Sequence, residues 1–552
     1  SVAGCGLLSE PIDPGPQNRC ATDDECGADR CDITLGMCVS ATPDGYLYYL
    51  EVVAPADPET GTSASAALGP FEAGADMSVV DLALPRSVRV EGVVRRGDEL
   101  VSAQLTFSPR DRVLVSDPSR FRTTTIDPMT PGRLADVDFE LELDPATDYD
   151  VLIEPIGEAR AALPPLRAML SVADTSQHIS IVYDDAALLT IVGDVLFDVL
   201  GAPDAAATDL TVRALDPVTG ARISSIATLA PDALRTGEFR LTMFAPPPAG
   251  WLLRIAPATD LLYPTYVVDP ALLTTVEDPV SHELRAQVLV PGRMTPVRYQ
   301  GTVEYPEALG DARPVPGAVV TLRATALLDA ETGMMGSIET RLVADADGRF
   351  DGSILPGDYE VTVVPSEAPE LGVLVEERML AEGGSAGILG HIYRVPVRTI
   401  LGGIAQAPGG EPLAGARVSA SALGLPLDGI PFPDVARRNR SSESLVGSMG
   451  EFRLSLDVGI YDVVVEPSAR SGFPWWVEPS VGIGGATVAP SRVYEMRAPV
   501  VFVGTLSDAS GVPIEGAEVR AFGALPEGRL IPIGRATTGS EGTLRLLLPP
   551  EL

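Results

Sequence analysis

Phe350-Asp-Gly-Ser-Ile-Leu-Pro356, followed by Tyr359-Glu-Val-Thr-Val-Val-Pro365, is the stretch on which the fold turns. Tyr359, Val361 and Val363 alternate with Glu360, Thr362 and Val364, the period of two that gives a strand one buried face. Two such strands around the Pro-Gly-Asp turn at 356–358 make a hairpin. The same pair recurs as Phe139-Glu-Leu-Glu-Leu-Asp-Pro145 with Tyr149-Asp-Val-Leu-Ile-Glu-Pro155, as Phe239-Arg-Leu241 with Trp251-Leu-Leu-Arg-Ile-Ala-Pro257, and as Phe452-Arg-Leu-Ser-Leu456 with Tyr461-Asp-Val-Val-Val-Glu-Pro467. About fifty residues before each hairpin stands an apolar-Gly-x-apolar strand. Its glycines, Gly92, Gly193, Gly301, Gly402 and Gly504, are 101, 108, 101 and 102 residues apart.

A period of about a hundred residues holding about seven short strands predicts an all-β chain of tandem antiparallel β-sandwich domains of the Ig-like kind. The expected division is sandwiches at 87–184, 185–295, 296–398 and 399–497, and an incomplete fifth at 498–552. Before them come a linker at 1–19, a small disulfide module at 20–40 and a partial strand-rich segment at 41–86. The aromatic opening the second hairpin strand (Tyr149, Trp251, Tyr359, Tyr461) is the expected anchor of each core.

Pro316-Gly-Ala-Val-Val320, Asp345-Ala-Asp-Gly-Arg-Phe350 and Leu355-Pro-Gly-Asp-Tyr359 resemble the carboxypeptidase regulatory-like (transthyretin-like) domain. Gly415-Ala-Arg-Val418 with Gly450-Glu-Phe452, and Gly516-Ala-Glu-Val519 with Gly542, follow the same scheme, whereas the first two units carry Ser102-Ala103 and Thr208-Asp209 at the Gly-Ala step. The resemblance implies a seven-stranded sandwich that serves as a spacer or accessory module and supplies no catalytic residues or cofactor. Fold alone does not fix function.

The formal charge of −36 repels nucleic acid and anionic lipid headgroups, which argues against a nucleic-acid partner. All basic residues are arginine; the sequence has no lysine. Val2-Ala3-Gly4-Cys5 resembles the end of a bacterial lipobox, which makes Cys5 the candidate lipidation site and the membrane a partner through a lipid anchor. Gly6, where an aspartate would signal inner-membrane retention, points to the outer membrane, on its periplasmic or surface side. Cys20, Cys26, Cys31 and Cys38 form a tight even set in an exported context and read as two disulfides, with three pairings open. Their C-x5-C-x4-C-x6-C spacing departs from the C-x2-C pairs of zinc sites.

Catalytic constellations are missing from the sequence. His178, His282 and His391 stand about a hundred residues apart, one per unit, so they form no metal cluster. Asp345-Ala-Asp-Gly348 lacks the further ligands of a calcium loop and reads as an Asp-Gly turn. No glycine-rich phosphate loop precedes a helix pattern. Two candidate ligand-binding features are left. Phe473, Trp475 and Trp476 offer aromatic faces for sugars or partner chains, against a reading as buried strand. Arg437, Arg438 and Arg440 lie in a long stretch, 424–448, against a reading as a solvated loop.

The expected function is a non-enzymatic, lipid-anchored cell-envelope stalk, scaffold or adhesin with an envelope protein or polysaccharide as partner. Alternatives are a carbohydrate- or peptide-binding module, and an accessory region of a larger envelope enzyme or transporter. Units in line would reach on the order of 150 Å. Tyr49-Leu-Glu-Val-Val-Ala-Pro55 matches the second hairpin strand, so 46–86 is expected to dock on the first sandwich. The fifth unit stops before that strand, so it is expected to be the least stable unit, within a fragment of a longer protein, or to receive the strand from another chain.

Overall fold

The computed structural model describes residues 18–552 except 34, 42–44, 54, 56–64, 75–79, 111–121, 127–137, 199–204, 207–208, 230–236, 246–249, 259–261, 278–283, 292–295, 307–311, 329–334, 381–387, 424–439, 469, 485–487 and 527. The chain is a tandem array of β-sandwiches, as its repeats predict. The third shows the plan. In one sheet the strand Val297–Pro306 lies between Arg349–Ile354, antiparallel to it, and Ile388–Arg394, parallel to it. The facing sheet runs Met335–Val343, Val319–Leu328, Gly357–Val364 and Leu374–Leu380, all antiparallel. Between them Tyr299, Val320, Leu322, Phe350, Tyr359, Val361 and Val363 form a buried core. Each sandwich thus has one parallel pairing, between its first and last strands, inside otherwise antiparallel sheets.

The repeated glycine has a steric cause. Gly92, Gly193, Gly301 and Gly403 each pair with the phenylalanine that opens the hairpin: Phe139, Phe239, Phe350 and Phe452. A Cβ there would stand 2.1–2.4 Å from a carbonyl oxygen of the parallel last strand, and under 3 Å from the phenylalanine ring. No side chain fits such a gap, so the two sequence signals are the two halves of one contact. In the fourth unit the glycine so used is Gly403, one residue past the Gly402 read from spacing; a Cβ on Gly402 would meet the Phe452 carbonyl oxygen at an ordinary 3.7 Å.

Tyr149, Tyr359 and Tyr461 are buried as core anchors. Tyr359 Oη donates to the Leu355 carbonyl at 2.8 Å, and Tyr149 Oη accepts from Asp144 N at 3.1 Å. Burial pushes the phenols of Tyr359 and Tyr461 up to about 12. Trp251 differs. It precedes the strand Leu252–Pro257 and stays partly exposed, and the second core uses Tyr263 and Tyr266 instead.

The N-terminal segment departs from expectation. Leu47–Val53 pairs with Glu518–Ala524, Ala66–Glu72 pairs with Leu47–Val53, and Val80–Leu84 runs parallel to Val500–Asp508. These three strands occupy, in the fifth sandwich, the places that Gly357–Val364, Leu374–Leu380 and Ile388–Arg394 hold in the third. The segment is therefore the second half of the fifth sandwich, and its strands pair there rather than with the first. Its reason is the core: Tyr48, Leu50 and Val52 pack on Phe502, Val519 and Ala521 in one buried cluster. The anchor is Tyr48, one position before the Tyr49 that the sequence match selects, because Tyr48, Leu50 and Val52 share the inward phase. The edge expected to lie open after Thr543–Leu548 is filled by strands from the other end of the chain.

Candidate functional site

Charged and aromatic side chains converge at several of the contacts between sandwiches. The fifth passes into the first through Pro85, Arg86 and Ser87 alone, three residues that reach at most about 11 Å. Ser65, just before Ala66–Glu72, donates its N–H to Asp144 Oδ1 at 3.0 Å. The first meets the second through Tyr183 stacked on Phe244 at 6.2 Å, and through Glu154 and Arg222 at 3.5 Å. The second and third share one eight-stranded sheet, with Thr265 opposite Ser337 and Tyr266 opposite Gly336.

The third and fourth are joined by a buried charge network. Asp457, 2% exposed, accepts from Val373 N at 3.1 Å and faces Arg398 at 3.3 Å and Arg440 at 3.2 Å. Arg440 also donates to the carbonyls of Pro365, at 3.1 Å, and Leu371. Arg398 donates to Pro369 O at 3.2 Å and Arg440 O at 2.9 Å. Burial pulls the Arg398 guanidinium below its ordinary value, with Asp457 opposing. Arg440, a candidate for ligand binding by sequence, thus has its donors committed to this seam. Arg437 and Arg438 lie outside the described residues. Sequence reading missed Asp457 and Arg398; the signal was Arg398 in the short linker from Arg394, and an aspartate directly after a repeat strand.

The fourth and fifth meet through Arg529 with Asp462, and Arg535 with Glu466 at 3.5 Å. Here lie the other candidates. Phe473 is buried in the fourth core. Trp475 has the Arg535 guanidinium 6.0 Å from its ring centroid; Trp476 has Arg497 at 5.8 Å and Tyr494 at 6.0 Å. Both indoles are half-buried, Trp475 with a cation beside it and Trp476 with a cation and an aromatic ring.

The cysteines pair as Cys20–Cys31 and Cys26–Cys38. The module they staple sits on the fourth and fifth sandwiches. Asn18 Nδ2 donates to Gly472 O at 2.7 Å, Ser40 N to Pro499 O at 2.9 Å, and Met37 and Val39 pack on Leu547. Cys5 lies outside the described residues. His178 is half-exposed, 3.8 Å from Glu91. His391 lies against Tyr393, with Glu376 at 3.8 Å; burial and then Arg378 lower its affinity for a proton. His282 is outside the described residues. Asp345 Oδ1 accepts from Asp347 N and Arg349 N at 2.9 and 2.8 Å, which closes its own turn.

No protein-family model matches the sequence, and no curated protein matches it. Solved structures that are similar in part include pilins and a collagen binding protein. The minor pilin GBS52 of Streptococcus agalactiae is 12% identical, over 37% of this chain and 96% of its own, with a TM-score of 0.22. BcpA, the major pilin subunit of Bacillus cereus, is 9% identical over 56% and 100%, with a TM-score of 0.15. Two B repeat units of the collagen binding protein of Staphylococcus aureus are 11% identical over 75% and 99%, with a TM-score of 0.14. At these values the fold rests on the strand pairings themselves.

Proposed function

We propose that the protein is a non-enzymatic scaffold of the bacterial cell envelope, exported and held to the membrane through a lipid on Cys5. The observation that carries this reading is the chain closure, with side chains such as Asp457, Arg398, Arg440, Tyr183 and Phe244 spent on joining one sandwich to the next. The strands Leu47–Val53 and Val80–Leu84 return the chain to the sandwich it ends in. The likeness of Pro316–Val320 and Leu355–Tyr359 to carboxypeptidase regulatory-like domains agrees with a spacer or accessory role. The rival reading, a carbohydrate- or peptide-binding module, rested on Phe473, Trp475 and Trp476, which pack in the fourth core and its seam.

Mass spectrometry of the mature N-terminus from membranes of the producing cell tests the anchor. Diacylated or triacylated Cys5 is the expected result, with Cys5→Ser releasing the protein to the soluble fraction. An unmodified Cys5 in soluble protein overturns it.

A further inference from the structure

The closure has a property that points to a partner. The fifth sandwich is built from two pieces, 47–84 and 500–548, that are linked only through the other four sandwiches. Suppose the strands 47–84 enter the fifth sandwich of a second copy. Leu47–Val53 still finds Glu518–Ala524, Val80–Leu84 still finds Val500–Asp508, and Tyr48 still packs on the core around Phe502. The Ser65–Asp144 contact travels with the donor chain, since both residues belong to it. The Arg529–Asp462 contact stays with the acceptor. The pairings and contacts named in this paragraph can all form again in the joined chains, and the opening of the circuit is taken up as a change of bend at the other seams.

We infer that the partner is a second copy of this chain, joined head to tail by strand exchange at the fifth sandwich. The result is an unbroken array in which the fourth sandwich of one copy leads through a shared fifth to the first of the next. The interface is heterologous, so copies extend as an open array where the rotation between them does not close, and as a ring where it does. The closed and joined forms differ in the bending needed to bring four sandwiches round to one, and in concentration. Tethering gives the internal strands a high effective concentration in dilute solution, whereas crowding of copies on a membrane favours exchange.

The test uses the full chain carrying Cys5→Ser. Tyr49 and Phe522 stand opposite each other on the paired strands. Chains with Tyr49→Cys alone are mixed with chains with Phe522→Cys alone, unfolded with the native disulfides intact, refolded together over a concentration series and oxidised. A disulfide between chains is expected, its yield rising with concentration, while the double variant in dilute solution links within one chain. Light scattering of the unmutated chain through the same series is the second readout, with species above the 57.8 kDa monomer growing with concentration. Only monomer throughout the series, with no link between chains, overturns the inference. Mixed links that do not depend on refolding point to random contact and also overturn it.

Discussion

Asp144 and Asp457 hold the same place in two sandwiches, five residues after the repeat phenylalanine, and each accepts an N–H from the sandwich before it. Ser65 donates to Asp144 Oδ1 at 3.0 Å and Val373 to Asp457 Oδ1 at 3.1 Å. Both donors stand immediately before the equivalent strand of their own sandwich. The seam between the fifth and first sandwiches therefore repeats the geometry of the seam between the third and fourth. The two aspartates should differ in weight. Asp457→Ala leaves Arg398 and Arg440 facing each other without a counter-charge and is expected to cost about 3–5 kcal/mol. Asp144→Ala removes one partly exposed acceptor and is expected to cost about 1 kcal/mol. Hydrogen exchange at 371–373 and 440–457 for the first variant, and at 65–72 for the second, reads the two losses separately.

Removing residues 1–86 takes three strands from the fifth sandwich and exposes the core face of Phe502, Val519 and Ala521. Amide protection across 500–548 is expected to fall to that of an unfolded segment, with a rise in aggregation at the freed edges, while 297–394 keeps its protection. Retained protection at 500–548 would show the C-terminal piece to be stable alone.

Gly301→Ala places a Cβ 2.1 Å from the His391 carbonyl and 2.6 Å from the Phe350 ring. Overpacking of this kind costs about 1–3 kcal/mol, and the backbone oxygen has no rotamer to yield, so the upper end is expected. Gly390→Ala, with nothing within 4 Å, should change stability by less than about 0.5 kcal/mol. Denaturant unfolding followed at tyrosines of the third sandwich compares the pair.

Cys20–Cys31 and Cys26–Cys38 close loops with sequence separations of 11 and 12 residues. Each cross-link is expected to stabilise the module by about 3 kcal/mol through its unfolded ensemble. Peptide mapping without reduction should recover these two pairings. Reduction should expose Met37 and Val39 and loosen Ser40 from Pro499, detected as faster exchange at residues 30–40.

The hairpins, the hundred-residue period and the two-layer fold were legible because alternation and steric exclusion leave local marks: Gly301 and Phe350 each show in the sequence. Phase was harder where like residues adjoin. Gly402 and Gly403, or Tyr48 and Tyr49, differ only in which one faces a partner elsewhere in the chain. The closure was half legible, since a hairpin strand in excess near the N-terminus and one missing at the fifth unit together make one repeat. Local pattern carries no pairing information between Leu50 and Ala521, so the match had to come from the assembled sheet. Asp457 escaped notice because an aspartate after a strand reads as a turn former, and its partners lie in another sandwich. Arg440 was legible as a conspicuous cation on an acidic chain, but its place in the seam beside Asp457 was not.

The arrangement of the fifth sandwich also decides how the protein carries tension. In the closed circuit, a pull applied between the disulfide module and Leu548 is borne by Leu47–Val53 sliding against Glu518–Ala524, and the four other sandwiches hang beside the load path as unloaded slack. In chains joined by strand exchange the same pull passes through the sandwiches in series. One set of hydrogen bonds thus acts as a clasp in the first case and as a coupling in the second.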